Sequence, residues 1–256
     1  MTPELFDRHL RALRRDRAAQ IGPELFLYER AFDECLERLQ DIARTYERAL
    51  LVGCPSSDWP ERLKRFARDV ETVDPGRLFA KACGGAQIEE DRHDFGTDRY
   101  DLCVAIGTLD TVNDLPLALQ LIRRAMRADA PLIGAIAGGN SLAALRSSFI
   151  EAGRLEGRVA ARTHPRIEAP TLAQLLSAAG FSMPVVDVDR VQLRYTSLDA
   201  LVRDLRAMGA TSTLAQRAPA LTKAVAARAR QAFAALRSEG RTEETVEILH
   251  FLGWNQ

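Results

Sequence analysis

Short apolar runs alternate with amphipathic helical patterns along the first half of the chain. Four runs have the length of a strand: residues 49–53, 70–73, 100–106 and 131–137. Residues 23–47 and 117–126 instead repeat apolar side chains every three or four positions, which is typical of helices that lie on a core. This alternation predicts an α/β fold with a parallel sheet and helices on both faces.

The second half of the chain has a different pattern. Helical patterns cover residues 141–153, 171–179, 198–208 and 221–236, and strand patterns cover residues 185–194 and 245–254. Residues 163–170 contain two prolines and cannot continue either neighbouring helix. Because no repeat or low-complexity linker is present, we expect a single domain over residues 1–256. Its parts are N-terminal helices in 1–47, a cofactor-binding half in 48–139, and a substrate or lid half in 140–256.

Composition excludes several classes of protein. The 256 residues carry 35 basic and 35 acidic side chains, whereas nucleic-acid-binding proteins usually have a basic excess. No apolar run reaches the roughly 18 residues of a membrane span, and the arginine-rich N-terminus lacks the apolar centre of a secretory signal. The four cysteines form no Cys-x-x-Cys pair, and the four histidines have no ligands at metal spacing. We expect a cytoplasmic protein with reduced thiols and without a metal site.

The turn after the first strand is the expected place for a ligand, because open parallel sheets bind ligands beyond the carboxyl ends of their strands. Residues 53–58 read Gly-Cys-Pro-Ser-Ser-Asp, where a nucleotide site normally has a Gly-x-Gly run. Only Gly53 is present, Pro55 removes an amide donor, and Ser57 adds a side chain. Asp58 has an alternative role as the N-cap of a helix over residues 60–68.

Carboxylates follow the next strands. Asp74 ends the second strand, where an acid commonly accepts hydrogen bonds from ribose hydroxyls, although an Asp before Pro75 is equally consistent with a plain turn. Glu89 and Glu90 precede the strand at 100–106, where they would either reach an adenine amino group or belong to a solvated loop.

Acids also follow the strand at 100–106. Asp110 lies at the predicted mouth of the site, whereas Asp114 is better explained as the N-cap of the helix that follows it. No Gly-x-Ser-x-Gly elbow or Cys–His pairing is present, so the sequence assigns no catalytic residue.

Several motifs together resemble one family. They are Phe-Asp-Arg at residues 6–8, Val-Asn-Asp-Leu-Pro at 112–116, Gly-Gly-Asn-Ser-Leu at 138–142 and Leu-Gly-Trp at 252–254. With them the chain resembles class I S-adenosylmethionine-dependent methyltransferases over nearly its whole length. The branch that it resembles most contains bacterial relatives of a mitochondrial complex I assembly factor associated with arginine hydroxylation. Malonyl-carrier-protein methyltransferases are more distant cousins.

The resemblance implies a Rossmann-like fold with a seven-stranded, mostly parallel sheet whose last strand is antiparallel, plus N-terminal and lid helices. The S-adenosylmethionine site that it implies consists of Gly53, Cys54, Asp74, Glu89, Glu90, Gly107 and Asp110. The residues that it implies for a substrate or partner are Asn140, Arg146 and His164, in or beside a lid over residues 146–168. Leu51 stands where the family usually has an acid, Pro55 and Ser57 replace glycines, and Asp110-Thr111 replaces a polar–aromatic pair.

Two classes of function remain open. One is methyl transfer, or the oxidative variant of the relatives, on a protein or carrier-bound substrate. The other is a non-catalytic assembly factor or chaperone for a respiratory-complex subunit, such as one of complex I, that has lost cofactor binding. A nicotinamide dehydrogenase fits the topology but lacks the glycine spacing.

Charge is segregated along the chain. Residues 89–101 hold six acids against two arginines, and residues 120–170 hold eight arginines against four acids. We therefore expect an acidic adenosine edge and a basic lid side that suits an acidic partner.

Overall fold

The computed structural model describes residues 4–154 and 160–256, so part of the predicted lid, residues 155–159, lies outside the described residues. The strands are β1 (Tyr46–Val52), β2 (Ala67–Asp74), β3 (Ala86–Gln87), β4 (Leu102–Ile106), β5 (Ala130–Gly138), β6 (Phe181–Tyr195), β7 (Arg237–Ser238) and β8 (Arg241–Asn255). The helices are α1 (Arg8–Ile21), α2 (Phe26–Ile42), α3 (Trp59–Leu63), α4 (Arg77–Ala82), α5 (Leu115–Ala125), α6 (Ala143–Arg154), α7 (Ala169–Ala178), α8 (Leu198–Ala207) and α9 (Lys223–Ala235).

The strands form one sheet in the order β3-β2-β1-β4-β5-β8-β6. Neighbours among β1 to β5 are parallel, and β8 lies antiparallel between β5 and β6. The predicted seven-stranded sheet with an antiparallel last strand is confirmed, and the two-residue β7 is an addition that pairs only with β8. The strand order reverses between β1 and β4, so their carboxyl ends flank the expected ligand crevice.

Two cores lie on opposite faces of the sheet. Leu51 and Val104 face the core that α2, α3, α6, α8 and α9 cover, whereas Leu50 and Cys103 face the core under α5 and α7. Successive residues of a strand point to opposite faces, and both faces are covered here. This explains why the strands read as continuous apolar runs.

Local boundaries differ from the prediction in two places. The helix expected over residues 60–68 ends at Leu63, because Ala67 already pairs with Tyr46 in the sheet. Asp58 occupies the N-cap position of α3, but its side chain accepts from the Ser56 hydroxyl and makes no cap bond. The closing strands β6 and β8 are longer at both ends than their apolar patterns indicated.

Two helix starts are capped by aspartates. Asp114 caps α5 as predicted, because its Oδ1 accepts from the Leu117 amide at 2.9 Å. Asp7 caps α1 in the same way through the Leu10 amide at 2.8 Å. Helix α1 packs against α4 and α8, which places it across the carboxyl ends of the strands. In the described part of the chain, no helix is both long and apolar enough to cross a membrane.

Candidate functional site

The turn after β1 is held tightly against the neighbouring strands. Gly53 has φ of 83°, and its amide donates to the Val73 carbonyl at 2.8 Å. A Cβ at this position would lie 2.2 Å from the Ile106 carbonyl oxygen, so only glycine lets the turn pass β4. The close approach of protein backbone therefore accounts for Gly53 without a ligand.

Asp74, the predicted ribose acid, is fully buried and its carboxylate is saturated with donors. Its Oδ1 accepts from Arg15 Nε and from the Gly76 amide, both at 2.7 Å. Its Oδ2 accepts from Arg15 Nη2 at 2.5 Å and from the Cys54 amide at 2.9 Å. A carboxylate offers about four lone-pair positions, and all four are used here by the protein itself.

The Arg15–Asp74 pair is a buried ion pair. The two side chains are 5% and 0% exposed, and the Arg15 guanidinium lies 5.1 Å from the centre of the Phe79 ring. Burial alone would lower the pKa of Arg15, but the charge of Asp74, the hydrogen bonds to it and weaker interactions with Tyr28 and Glu90 together raise this pKa. Each charge is therefore stable in the interior only because the other is present.

A second buried pair joins α1 to the predicted adenine edge. Arg11 Nη1 and Nη2 donate to the two carboxylate oxygens of Glu90 at 2.6 and 2.8 Å, and Nη2 also donates to the Thr108 carbonyl at 2.6 Å. Glu90 is fully buried, whereas Glu89 is 38% exposed and contacts Arg8 at 3.1 Å. Of the two acids predicted beside adenine, the structure places only Glu90 inside the protein.

A third pair lies one helical turn earlier. Arg8 Nη1 and Nη2 donate to the two oxygens of Asp91 at 2.5 and 2.7 Å. Burial acts to raise the pKa of Asp91, but the Arg8 guanidinium outweighs it, so this pKa lies below its ordinary value. Arginines of α1 are thus paired with three of the six acids in residues 89–101 and offset part of the expected negative charge at this edge.

Arg8, Arg11 and Arg15 are spaced by three and four residues and so share one face of α1. We call these three side chains the arginine array. They cross 59 to 83 residues of sequence to reach Asp74, Glu90 and Asp91. The sequence alone assigns no binding role to them. Their spacing, together with Asp74 at the end of a predicted strand and the acids 89–91 before another, was the signal that could have revealed the pairing.

S-adenosylmethionine does not fit this arrangement. A ribose diol needs free acceptors on Asp74, and Arg15 and two backbone amides occupy them. A cavity of about 100 Å³ remains under α1 at the ends of β4 and β5, and a hollow of about 230 Å³ lies at the adenine edge. Both volumes fall below the roughly 300–1,000 Å³ of ligand sites. Three of the expected cofactor residues, Asp74, Glu89 and Glu90, instead bind arginines of α1.

The cavity under α1 is lined by three predicted site residues, Gly107, Asp110 and His164. Asp110 Oδ2 lies 3.4 Å from Arg166 Nη1, and both side chains are largely buried. Burial lowers the pKa of Arg166. Gly107 has φ of 65°, and a Cβ there would meet the Tyr28 ring at 2.3 Å, so this glycine makes room for an aromatic side chain. Asp110 thus forms an ion pair with Arg166 of the predicted lid.

His164 separates the cavity from the outer groove. Its Nε2 accepts from the Thr213 amide at 2.8 Å, and its ring lies edge-on to Phe6 with centroids 5.3 Å apart. Burial lowers the pKa of His164 to about 4. The imidazole is therefore neutral at physiological pH, as its role as an acceptor requires.

The three residues predicted for a substrate or partner lie on one surface. Asn140, Arg146 and His164 line a groove of about 1,200 Å³ beside the lid segment, which we define as residues 160–168. Arg146 Nη2 donates to Asn140 Oδ1 at 2.7 Å, and the Asn140 amide donates to Glu247 Oε2 at 3.0 Å. Side chains from three separate parts of the chain thus meet at the predicted partner side.

Metal ligands are not assembled in residues 4–154 and 160–256, where no group of three or more His, Cys, Asp or Glu has suitable geometry. All four cysteines are free thiols, and burial raises the pKa of Cys35 to about 12. Such a thiol is inert as a nucleophile at neutral pH.

Comparisons with known proteins agree with the fold. No protein-family model matches the chain. The chain is similar to the N-methyltransferase NodS from Bradyrhizobium japonicum, solved in complex with S-adenosylhomocysteine. Their TM-score is 0.51 at 14% identity, over 98% of this chain and all of the other. The chain therefore has a class I methyltransferase fold, as its resemblance implied.

Curated relatives identify the branch. The chain is 31% identical over 179 residues to a malonyl-[acyl-carrier protein] O-methyltransferase from Laribacter hongkongensis, covering 70% of this chain and 59% of that protein. It is 30% identical over 273 residues to the mitochondrial arginine hydroxylase NDUFAF5 of Mus musculus, covering 98% of this chain and 77% of the relative. The chain belongs to the NDUFAF5 arginine-hydroxylase family.

Proposed function

We propose that this protein binds a protein or carrier-bound partner at the carboxyl edge of its sheet and does so without S-adenosylmethionine. Its role is then that of a methyltransferase-fold assembly factor or chaperone. The main support for this proposal is the carboxylate of Asp74. Arg15 and two backbone amides already donate hydrogen bonds to every acceptor position that a ribose would need. The buried Arg11–Glu90 pair supports it at the adenine edge.

The relatives support a macromolecular partner. One relative is named as an arginine hydroxylase and another as an enzyme of an acyl-carrier protein. Together with the resemblance to a complex I assembly factor, these names make a respiratory-complex subunit the partner that we propose. The groove at Asn140, Arg146 and His164 is the surface that would hold it.

Addition of S-adenosylmethionine or S-adenosylhomocysteine is expected to leave the melting temperature of the purified protein unchanged. A ligand at a hundred times its dissociation constant stabilises a protein by about 2.7 kcal/mol, which thermal unfolding readily detects. Isothermal titration calorimetry with the same two compounds should show no binding heat. A methyltransferase that binds both compounds serves as the positive control.

The contrary result is a clear rise in melting temperature that Asp74→Asn abolishes while the variant stays folded by circular dichroism. Such a rise means that α1 yields to the cofactor and that the pocket is functional. The proposal of a cofactor-independent role then fails.

A second candidate function is enzymatic modification of the bound partner. The cavity at Asp110 supports it, because this cavity shares His164 and Arg166 with the partner groove and so adjoins it. Mass spectrometry of a partner recovered with the tagged protein from its own host distinguishes the candidates. Arginine hydroxylation adds the mass of one oxygen atom, methylation adds that of one methylene, and a chaperone leaves the mass unchanged.

A further inference from the structure

The groove beside the lid segment is lined by an unusual number of arginines. A pocket of about 320 Å³ adjoins the groove and shares Phe149, Arg162, Arg166 and Arg217 with it. Groove and pocket together contact five arginines: Arg14, Arg146, Arg162, Arg166 and Arg217. Two carboxylates, Glu4 and Glu168, face them. We call this combined surface the arginine groove.

Two of the five arginines are neutralised within the protein. Arg166 pairs with Asp110 at 3.4 Å, and Arg217 pairs with Asp7 at 2.9 Å. Glu4 is similarly occupied, because it contacts Arg8 at 2.7 Å and Arg92 at 2.8 Å. The net charge of the arginine groove therefore depends on Arg14, Arg146, Arg162 and Glu168.

The other three arginines form no ion pair with a carboxylate of residues 4–154 and 160–256, although Arg146 lies close enough to Glu244 for their charges to interact. Arg146 donates to Asn140 Oδ1 and Arg162 donates to the Pro219 carbonyl at 2.8 Å, whereas Arg14 Nε is buried and makes no hydrogen bond. Glu168 also lines the groove and offsets part of this positive charge. The described part of the arginine groove therefore keeps a net positive charge.

Partial burial makes this excess costly. Burial lowers the pKa of Arg162, whose guanidinium lies 5.8 Å from the centre of the Phe149 ring. Cations that are removed from water without an anion are unfavourable, and an anionic ligand would relieve the cost.

The walls between the arginines are apolar. Phe149 and Ile150 of α6 line the groove, Leu142 and Leu145 line the pocket, and Leu221 is 45% exposed at its rim. A volume of about 1,200 Å³ exceeds the roughly 1,000 Å³ upper range of small-molecule sites. The combination suits a chain segment that carries both acidic and apolar side chains.

We propose that the arginine groove binds an acidic, extended segment of a protein partner. Glu or Asp carboxylates of the segment contact Arg14, Arg146 and Arg162, and an apolar side chain enters the pocket beside Phe149. This inference rests on the proposed function in that both require a macromolecular partner, and it adds the chemistry of the partner and its place of contact.

Fluorescence anisotropy of the full chain tests the inference. The probe is a fluorescein-labelled peptide of repeated Glu-Asp-Leu-Phe units, and the same peptide with lysine in place of each acid is its control. We expect the acidic peptide alone to bind. Arg14→Met, Arg146→Met and Arg162→Met should each weaken binding about tenfold, which equals about 1.4 kcal/mol, because each removes a charged hydrogen-bond donor. Arg241→Met, at an exposed position on β8, should leave binding unchanged.

Three outcomes overturn the inference: no binding of the acidic peptide, equal binding by the groove variants and the wild type, or tighter binding of single-stranded DNA than of the peptide. Binding of S-adenosylmethionine overturns the proposed function but leaves the peptide result standing. Absence of peptide binding together with absence of cofactor binding removes this inference alone. Circular dichroism of each variant shows that the protein is folded.

Discussion

Arg15→Met is expected to lower the free energy of unfolding by about 3–5 kcal/mol, because it leaves the buried Asp74 charge without its partner. The two amide donors at Cys54 and Gly76 remain, but they carry no full charge to offset the carboxylate. Urea-induced unfolding followed by circular dichroism measures the loss.

The matched control is Arg30→Met. Arg30 also makes a bidentate contact with an aspartate, Asp189, but its side chain is 56% exposed. Exposed pairs contribute only about 0.2–1 kcal/mol. A loss of less than 1 kcal/mol in both variants contradicts the structural role assigned to the arginine array. If Arg15→Met does not fold, the double variant Arg15→Met with Asp74→Asn should recover stability, because it removes both buried charges.

Lowering the pH from 7 to 5 should destabilise the wild type by about 2 kcal/mol more than the His164→Gln variant. The folded pKa of His164 is about 4, against about 6.5 in the unfolded chain. Between these values the unfolded state binds a proton that the folded state does not, so stability falls as the pH falls through this window. Glutamine keeps an acceptor for the Thr213 amide but does not titrate.

Urea unfolding of both proteins at the two pH values measures this difference. His250 also has a pKa that burial lowers, but it is present in both proteins and cancels in the comparison. An equal loss of stability in the wild type and the variant would mean that His164 takes up a proton as readily in the folded protein as in the unfolded chain. That result would contradict the lowered pKa that burial gives the imidazole.

The sheet could be predicted from the sequence because its signal is local. Runs such as residues 49–53 and 131–137 are apolar on both sides of the strand, and continuous apolar runs indicate strands covered on both faces. The boundary of α3 could not be predicted, because its end is set by the pairing of Ala67 with Tyr46, a residue of the preceding strand β1.

The sequence predicted the acids of the candidate site, but it did not predict that arginines of α1 bind them. Asp74 ends a predicted strand, so its place at the carboxyl edge of the sheet follows from topology. Glu90 instead follows β3, a two-residue strand that the sequence pattern does not reveal. Their partners lie on α1, far away in sequence, and an arginine-rich amphipathic segment is ordinarily a solvated face. The arginines reach these acids only because α1 packs against α4 and α8. The local pattern of apolar and polar residues does not reveal such packing between distant helices.

The position of β8 imposes an order on synthesis. β8 fills the gap between β5 and β6, yet a ribosome makes both of these strands before it. At about 5–20 residues per second, the residues from Tyr195 to Asn255 take roughly 3–12 s to emerge. During that interval β5 and β6 present unpaired edges that favour association with other chains. The nascent protein is therefore most exposed to aggregation just before its sheet is completed, and this is the stage at which a chaperone would protect it.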